Sequence, residues 1–234
     1  VLSPVGACMA TIAVIWVTTI CNFGGAKITG RIGSVTVWGV IIPVVGLSIF
    51  GWFWFKPSLY ISAWNPNHSS FFSAVSTSIS MTLWAFLGLE SACANMDAVE
   101  NPQKNVPIAV FGGTLACAVI YILSTNVISG IVPNADLLNS TAPFGLAYAS
   151  MFTPFVGKVV MLLMTLACIG SLLGWQFTVG RVFKSSADIG YFPPIFSRVT
   201  KADAPVVGMI VLGIIQTLLA LMTISPSLNK QFNS

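Results

Sequence analysis

Residues 107–130 read PIAVFGGTLACAVIYILSTNVISG and contain no charged side chain over 24 positions. An α-helix needs about 20 predominantly apolar residues to cross the hydrocarbon core of a bilayer, and this stretch is long enough. Similar runs lie on both sides of it, so six spans are predicted, at residues 5–23, 35–55, 72–96, 107–130, 156–180 and 205–224. The pattern predicts an all-α, polytopic bundle of transmembrane helices.

The overall composition leads to the same class. Only 7% of the 234 residues are charged and 56% are hydrophobic, whereas soluble domains carry about 25% charged residues. The mean hydropathy is +0.89. A chain with so few polar groups cannot cover a surface that faces water, so the lipid bilayer is its expected surrounding. The ten basic residues form no block, which argues against nucleic acid as a partner.

Patterns that would indicate a cofactor, a metal or an enzyme are missing from the sequence. The five cysteines form no C-x-x-C pair, and the single histidine, His68, has no cysteine or histidine nearby. There is also no nucleotide-binding motif and no evident nucleophile–base pair. We therefore expect no cofactor and no catalytic activity.

The basic residues predict the orientation of the spans. Seven of them fall on one side of the membrane and three on the other; the seven are Lys27, Arg31, Lys104, Arg181, Lys184, Arg198 and Lys201, and the three are Lys56, Lys158 and Lys230. Because cytoplasmic loops carry an excess of Lys and Arg, loops at 24–34, 97–106 and 181–204 are predicted to be cytoplasmic.

The longer connections carry further expectations. Residues 131–155 are predicted to form an external loop with a short interfacial helix, and residues 181–204 a short cytoplasmic helix followed by a turn. The chain opens at Val1 almost directly inside an apolar run, so we expect it to be part of a longer protein.

Glu90 lies inside the third predicted span. An ionised carboxylate in hydrocarbon costs several kcal/mol, so such residues usually face a cavity and serve a cation, a proton or a partner helix. Its own span contains no basic partner, which favours a functional role. The alternative is a structural carboxylate that pairs with a Lys, an Arg or a backbone group of another helix.

Two neighbours bear on how Glu90 could act. On an unbroken helix Trp84 and Glu90 would lie about 120° apart and would not share a face. If the helix unwinds near Gly88, both could line one cavity, as in the discontinuous helices of transporters. A carboxylate beside a Trp ring suits an alkylammonium ligand, since the ring adds a cation–π contact of about 0.5–2 kcal/mol. The bland alternative for Trp84 is ordinary lipid or helix packing.

Three more residues have two interpretations each. Trp175 follows a run of small residues in the fifth span and is either a packing residue or a gate beside the substrate. Lys184 and Tyr191 lie in the cytoplasmic segment. There they are either anchors at the lipid headgroups or contacts for the substrate.

The segment TLWAFLGLESACANMDAVENPQKNVPIAV, residues 82–110, resembles the basic amino acid/polyamine antiporters of the amino acid–polyamine–organocation superfamily. It combines Trp84, Gly88 and Glu90 with the loop pattern E-x-P-x-x-N-V-P. Two further segments resemble the same family, GSLLGWQFT at 170–178 and VFKSSADIGYFPPIFSRV at 182–199. The resemblance runs along essentially the whole chain.

The resemblance implies a protein of twelve helices, of which the first ten form two inverted repeats of five; the six predicted spans would be helices four to nine. It implies a secondary transporter of the inner membrane that exchanges putrescine for ornithine. Proton-coupled uptake of putrescine is a second mode, with Glu90 as a candidate for protonation because burial disfavours a charged carboxyl group.

The resemblance also implies roles for particular residues. Glu90 and Trp84 would bind the substrate, Trp175 would be an aromatic gate, and Lys184 and Tyr191 would act in the cytoplasmic segment. Cadaverine:lysine or arginine:agmatine exchange are alternatives within the family, and a non-transporting membrane scaffold is an alternative of another class. A homo-oligomer is compatible with the sequence, which contains no signal for or against it.

Overall fold

Helices form the regular structure of the chain in the part that the computed structural model describes, namely residues 3–65, 68–88, 100–222 and 224. The α-helices there are α1 Pro4–Asn22, α2 Ala26–Thr36, α3 Trp38–Phe50, α4 Pro57–Ala63, α5 Phe71–Phe86, α6 Pro102–Ile131, α7 Asn134–Leu138, α8 Pro143–Met151, α9 Pro154–Asp188 and α10 Val206–Met222. Two 3-10 helices lie at Gly51–Trp54 and Pro194–Ser197. These ranges contain no strand, and the predicted all-α class is confirmed.

Several of these helices have the length and composition of membrane spans. Within the described ranges, four helical stretches qualify: Pro4–Asn22, Ala26–Trp54, Pro102–Ile131 and Pro154–Asp188; α10 is a shorter apolar helix. Their outward side chains are apolar; Phe111 is 74% exposed and Leu162 60%. Exposure to water would cost about 25 cal/mol per Å² of such surface, a cost that vanishes in hydrocarbon. The chain is a multi-pass membrane protein, while the six spans and their bounds stay predictions.

Two of the predicted loops are partly helical. The sequence predicts a loop at 24–34, but α2 begins at Ala26, directly after Gly25 turns the chain with φ of 80°. Lys27 and Arg31 lie four residues apart on one face of α2, so charges that suggest a loop are compatible with a helix. Likewise α6 begins at Pro102, within the predicted loop 97–106, because a proline is well tolerated at the first helical position.

The segment 181–204, predicted to be cytoplasmic, also differs from its predicted structure. Residues 181–188 form no separate short helix; they are the last two turns of α9, since no Pro or Gly interrupts the helix there. The helix ends where Gly190 takes φ of 86°. The predicted external segment 131–155 contains two short helices, α7 and α8, rather than one.

The chain divides into two compact units, 1–38 with 165–234, and 39–164. In the first unit, Cys8 and Ile15 of α1 pack against Ala220 of α10. Polar bonds add to this core: the indole nitrogen of Trp16 donates to the hydroxyl of Thr217 over 3.1 Å. Such interhelical bonds help to hold helices together in lipid, where apolar packing alone discriminates poorly between neighbours.

The second unit has an apolar core between α3, α6 and α8. Its buried members are Leu47, Val127, Ile128, Ile131, Val132, Ala147 and Met151. Two bonds involving tyrosine hydroxyls join its helices. Tyr148 donates to the carbonyl of Pro43 over 2.9 Å, and Tyr60 donates to the side-chain oxygen of Asn126 over 2.6 Å.

Candidate substrate site

The helix that leads towards Glu90 ends early. The predicted span is 72–96, but α5 ends at Phe86, and Leu87 has extended angles of φ −65° and ψ 136°. Gly88 follows with φ of 99°, a conformation that favours glycine. The backbone is therefore irregular two residues before Glu90.

Tyr121 of α6 supports this end of α5. Its hydroxyl donates to the carbonyl of Ala85 over 3.1 Å, and its ring lies 5.4 Å from that of Phe86, nearly perpendicular to it. The last carbonyls of any helix lack intrahelical partners. Tyr121 supplies one to Ala85, so α6 stabilises the point at which α5 stops.

Among the predicted site residues, the backbone of Trp84 can be placed, whereas Glu90 cannot. Trp84 lies in the last turn of α5. Glu90 belongs to residues 89–99, which lie outside the described residues, as does the side chain of Trp84. The binding roles of both therefore stay predictions.

Trp175 lies on α9 and is 46% exposed. A side chain on the preceding Gly174 would meet nothing within 4 Å, so the helix face next to Trp175 is also open within its unit. The next residue, Gln176, is buried on another face of the helix. This arrangement leaves the Trp175 ring available to a ligand or to another part of the protein.

Lys184 and Tyr191 occupy the far end of α9 and the turn after it. The ammonium of Lys184 forms an ion pair with the carboxylate of Asp188 over 2.8 Å. Hydrogen bonds from Lys184 and then from Ser197 lower the pKa of Asp188 below its ordinary value of 3.8. Tyr191 is 83% exposed, and its backbone N–H donates to the carbonyl of Ser186.

The structure does not bring Trp175 and Lys184 together. Nine residues separate them on one helix, which corresponds to roughly 14 Å along the axis and half a turn about it. One small ligand cannot contact both from a single position. If both serve the substrate, they do so at different points on its route.

Sequence reasoning missed two polar groups in this part of the molecule, Gln176 and Asn22. Both are buried inside predicted spans, with exposed fractions of 1% and 0%. The signal was the one used for Glu90: a polar side chain in an apolar run needs a partner. Applied to amides as well as to carboxylates, it would have found them.

Two further features of the described residues, possible metal ligands and a cavity, do not lead back to the predicted site residues. Among the described residues, no group of three or more metal-ligating side chains occurs. A cavity of about 360 Å³ lies in the second unit and is lined by Asn139, Ser140, Thr141, Lys158, Met161 and neighbours. No predicted site residue lines it.

The chain resembles known membrane proteins over almost its entire length. A family model described as amino acid permease matches residues 5–234. The putrescine transporter PotE of Escherichia coli K12 is 73% identical over 232 residues, which cover 99% of this chain and 53% of that protein. The putrescine transporter PotE of Haemophilus influenzae is 67% identical over 233 residues, which cover 100% of this chain and 54% of that protein.

A more distant relative is the cadaverine/lysine antiporter of Escherichia coli K12. It is 33% identical over 219 residues, which cover 94% of this chain and 49% of that protein. The chain thus spans about half the length of the curated relatives that it matches.

Proposed function

Because the chain belongs to the amino acid permease family, we propose that the intact transporter exchanges putrescine for ornithine by alternating access across the inner membrane. The observation that carries this proposal is the 73% identity to a putrescine transporter over 99% of the chain. Identity to the cadaverine/lysine antiporter is less than half as great, at 33%. The relatives are transporters, not enzymes.

In the proposed mechanism, Glu90 pairs with an ammonium group of the substrate. The early end of α5 supports this role, because an irregular backbone within a membrane is tolerated only where it is buried in protein or lines a cavity. By the family resemblance, Trp84 and Trp175 would bracket the methylene stem of the substrate, and an aromatic ring can add a cation–π contact. In the second mode, a proton on Glu90 would accompany putrescine uptake.

Lys184 would distinguish the two substrates at the cytoplasmic side. Ornithine carries an α-carboxylate and putrescine does not, so only ornithine could replace Asp188 as the partner of the Lys184 ammonium. Tyr191, which is highly exposed in the turn after α9, would contact putrescine on the same side. These roles would put substrate contacts at two separate points, one at Trp175 within α9 and one at the end of α9 with the turn that follows.

The proposed topology follows the basic residues. Segments 24–34, 97–106 and 181–204 would face the cytoplasm, and the remaining connections would face the outside. Partners of the intact protein would be putrescine, ornithine, protons and the surrounding lipid. A homo-oligomer is compatible with this arrangement.

The test of the central residue is Glu90→Gln in the intact transporter, reconstituted in liposomes. The amide keeps the shape of the side chain and removes its charge. We expect putrescine/ornithine exchange to fall at least tenfold, since a buried charge pair broken on one side costs about 3–5 kcal/mol. The matched control is Glu100→Gln, an exposed carboxylate at the start of α6, which should retain exchange within twofold. If Glu90→Gln exchanged putrescine and ornithine at the wild-type rate, Glu90 would not have the proposed role in substrate binding.

Substrate choice is tested by counterflow with putrescine, cadaverine and agmatine side by side. We expect putrescine to be preferred over cadaverine by about tenfold, because one methylene in a fitted site is worth about 1–3 kcal/mol. A preference for cadaverine or agmatine would assign the transporter to one of the alternative exchange reactions. If none of the three compounds is transported in counterflow, the alternative of a non-transporting membrane scaffold would be favoured.

A further inference from the structure

Helix α9 carries a buried amide next to Trp175 for which the proposed transport mechanism has no use. Gln176 is 1% exposed. Its side-chain nitrogen donates to Gln216 Oε1 of α10 over 2.8 Å, to Thr19 Oγ1 of α1 over 3.2 Å, and to the carbonyl of Ile15 over 3.3 Å. One side chain thus links α9 to two other helices of its unit.

A second amide attaches the same face of α9 one turn away. Asn22 of α1 donates from its side-chain nitrogen to the carbonyl of Leu173 over 2.9 Å, and its side-chain oxygen accepts from Thr29 of α2 over 2.8 Å. Leu173 and Gln176 are three residues apart and therefore lie on one face of the helix. Two attachments one turn apart fix both the rotation of α9 about its axis and its height.

Packing alone does not account for a glutamine at this position. Gln176 Oε1 is buried and has no hydrogen-bond partner among the described residues. A buried acceptor without a partner is unfavourable, and a leucine of similar volume would avoid that cost. What leucine could not provide is the set of directional bonds to α1 and α10.

The attachment of Gln176 also affects the orientation of its neighbour Trp175. Neighbouring residues on an α-helix point about 100° apart, so fixing Gln176 between α1 and α10 also fixes the direction in which Trp175 leaves the helix. The geometry points to Gln176 as the positioning residue for the Trp175 ring, acting through its bonds to Gln216, Thr19 and Ile15. This inference rests on the proposed function, in which Trp175 contacts the substrate.

The test is a double-mutant cycle in the intact transporter. Gln176→Leu removes the bonds at similar volume, and we expect it to raise the apparent KM for putrescine about fivefold or more, with a smaller change in maximal rate. In a Trp175→Leu background the same substitution should change the KM less than twofold, because its effect passes through the missing ring. If the fold-change in KM of the double variant equals the product of the fold-changes of the two single variants, the inference is overturned.

Two further variants keep the test interpretable. Thr19→Val is nearly isosteric and removes one acceptor, so it should shift the KM in the same direction by a smaller factor, again only when Trp175 is present. If Gln176→Leu fails to assemble, Thr19→Val replaces it in the double-mutant cycle. Thr178→Val is the matched control, because within the described part of the chain the Thr178 hydroxyl bonds to the Gly174 carbonyl of its own helix and to no other helix. This substitution should leave the KM unchanged, both with Trp175 and with Trp175→Leu.

A readout that is independent of substrate separates this inference from the proposed function. Trp175→Cys is labelled with a charged thiol reagent in liposomes, with and without Gln176→Leu, and the protein that retains Trp175 serves as the blank. We expect the labelling rate of Cys at this position to change at least fivefold. An unchanged rate would overturn the positioning role. If Trp175→Leu alone leaves the KM unchanged, Trp175 has no role in substrate binding. The labelling result would still test whether Gln176 positions residue 175.

Discussion

Gly88 is the described residue whose conformation bears most directly on the proposed substrate site. Its φ of 99° lies beyond the left-handed region that other residues occasionally adopt. Glycine reaches it without a steric penalty, which lets the chain leave the helix just before Glu90. From the sequence, a break near Gly88 is the condition under which Trp84 and Glu90 could line one cavity.

Gly88→Ala should therefore impair the intact transporter. An alanine at this φ costs about 1–3 kcal/mol, and we expect a lower melting temperature and a turnover reduced severalfold in liposomes. Gly112→Ala is the control, because Gly112 lies within helix α6 and an added Cβ would meet nothing within 4 Å. Alanine there should be neutral or slightly stabilising. Wild-type melting and turnover in Gly88→Ala would show that the break is not needed.

Asp188 gives a pH dependence at the end of α9. Its pKa is lowered in the folded protein, first by the hydrogen bond from Lys184 and then by that from Ser197. A lowered carboxyl pKa contributes stability above the unfolded value, and this contribution is lost as the pH falls through the folded value. The loss is therefore expected below the ordinary pKa of 3.8.

The measurement compares the melting temperatures of wild type and Asp188→Asn between neutral and acid pH. The wild type should be the more stable at neutral pH, and the difference should shrink once the pH falls below 3.8. The effect is small, because the pair is exposed to solvent. A difference that stays constant down to the acid end would contradict the assignment of the ion pair.

Helix α9 extends beyond its predicted span at both ends. With 35 residues it is roughly 53 Å long, well beyond the 30 Å hydrocarbon core. In the proposed topology, the end that carries Lys184 projects into the cytoplasm. Charge content correctly indicated a polar segment at 181–204, but polarity does not end a helix when no Gly or Pro is present.

The turn between α1 and α2 is held by close contact as well as by backbone conformation. Gly25 has φ of 80°, and a Cβ there would collide with the carbonyl oxygen of Ala202, in the loop before α10. Gly25→Ala should lower the free energy of unfolding by more than 1 kcal/mol, because the Cβ would both strain the backbone at this φ and clash with Ala202. The loss should appear as a reduced melting temperature in detergent.

Gly30→Ala is the matched control for that substitution. Gly30 lies in the middle of α2, where an added Cβ meets nothing within 4 Å. Alanine is favoured over glycine inside a helix by about 1 kcal/mol, so this variant should be at least as stable as the wild type. Equal destabilisation by both would mean that the loss at Gly25 has nothing to do with the turn.

Across the entire chain, the testable property is orientation in the membrane. Seven basic residues on the predicted cytoplasmic side against three on the other favour one topology. Asn139→Cys and Lys201→Cys lie in exposed connections on opposite predicted sides. In intact cells, an impermeant thiol reagent that reaches the periplasm should label only Asn139→Cys, and in inverted vesicles only Lys201→Cys. The reverse pattern would invert the proposed topology, including the side assigned to Lys184.

Membrane class, helical fold and family could all be obtained from the order of residues along the chain. Hydropathy, charge distribution and motifs such as Trp84-x3-Gly88-x-Glu90 are local or additive properties, and a bilayer admits few structures besides helices for such apolar runs. The early end of α5, by contrast, is supported by a hydrogen bond from Tyr121, 36 residues further on. Gln176 finds its partners 161 and 40 residues away. Contacts between residues so far apart in the chain cannot be predicted from the local sequence pattern, because these hydrogen bonds form only once the helices have packed.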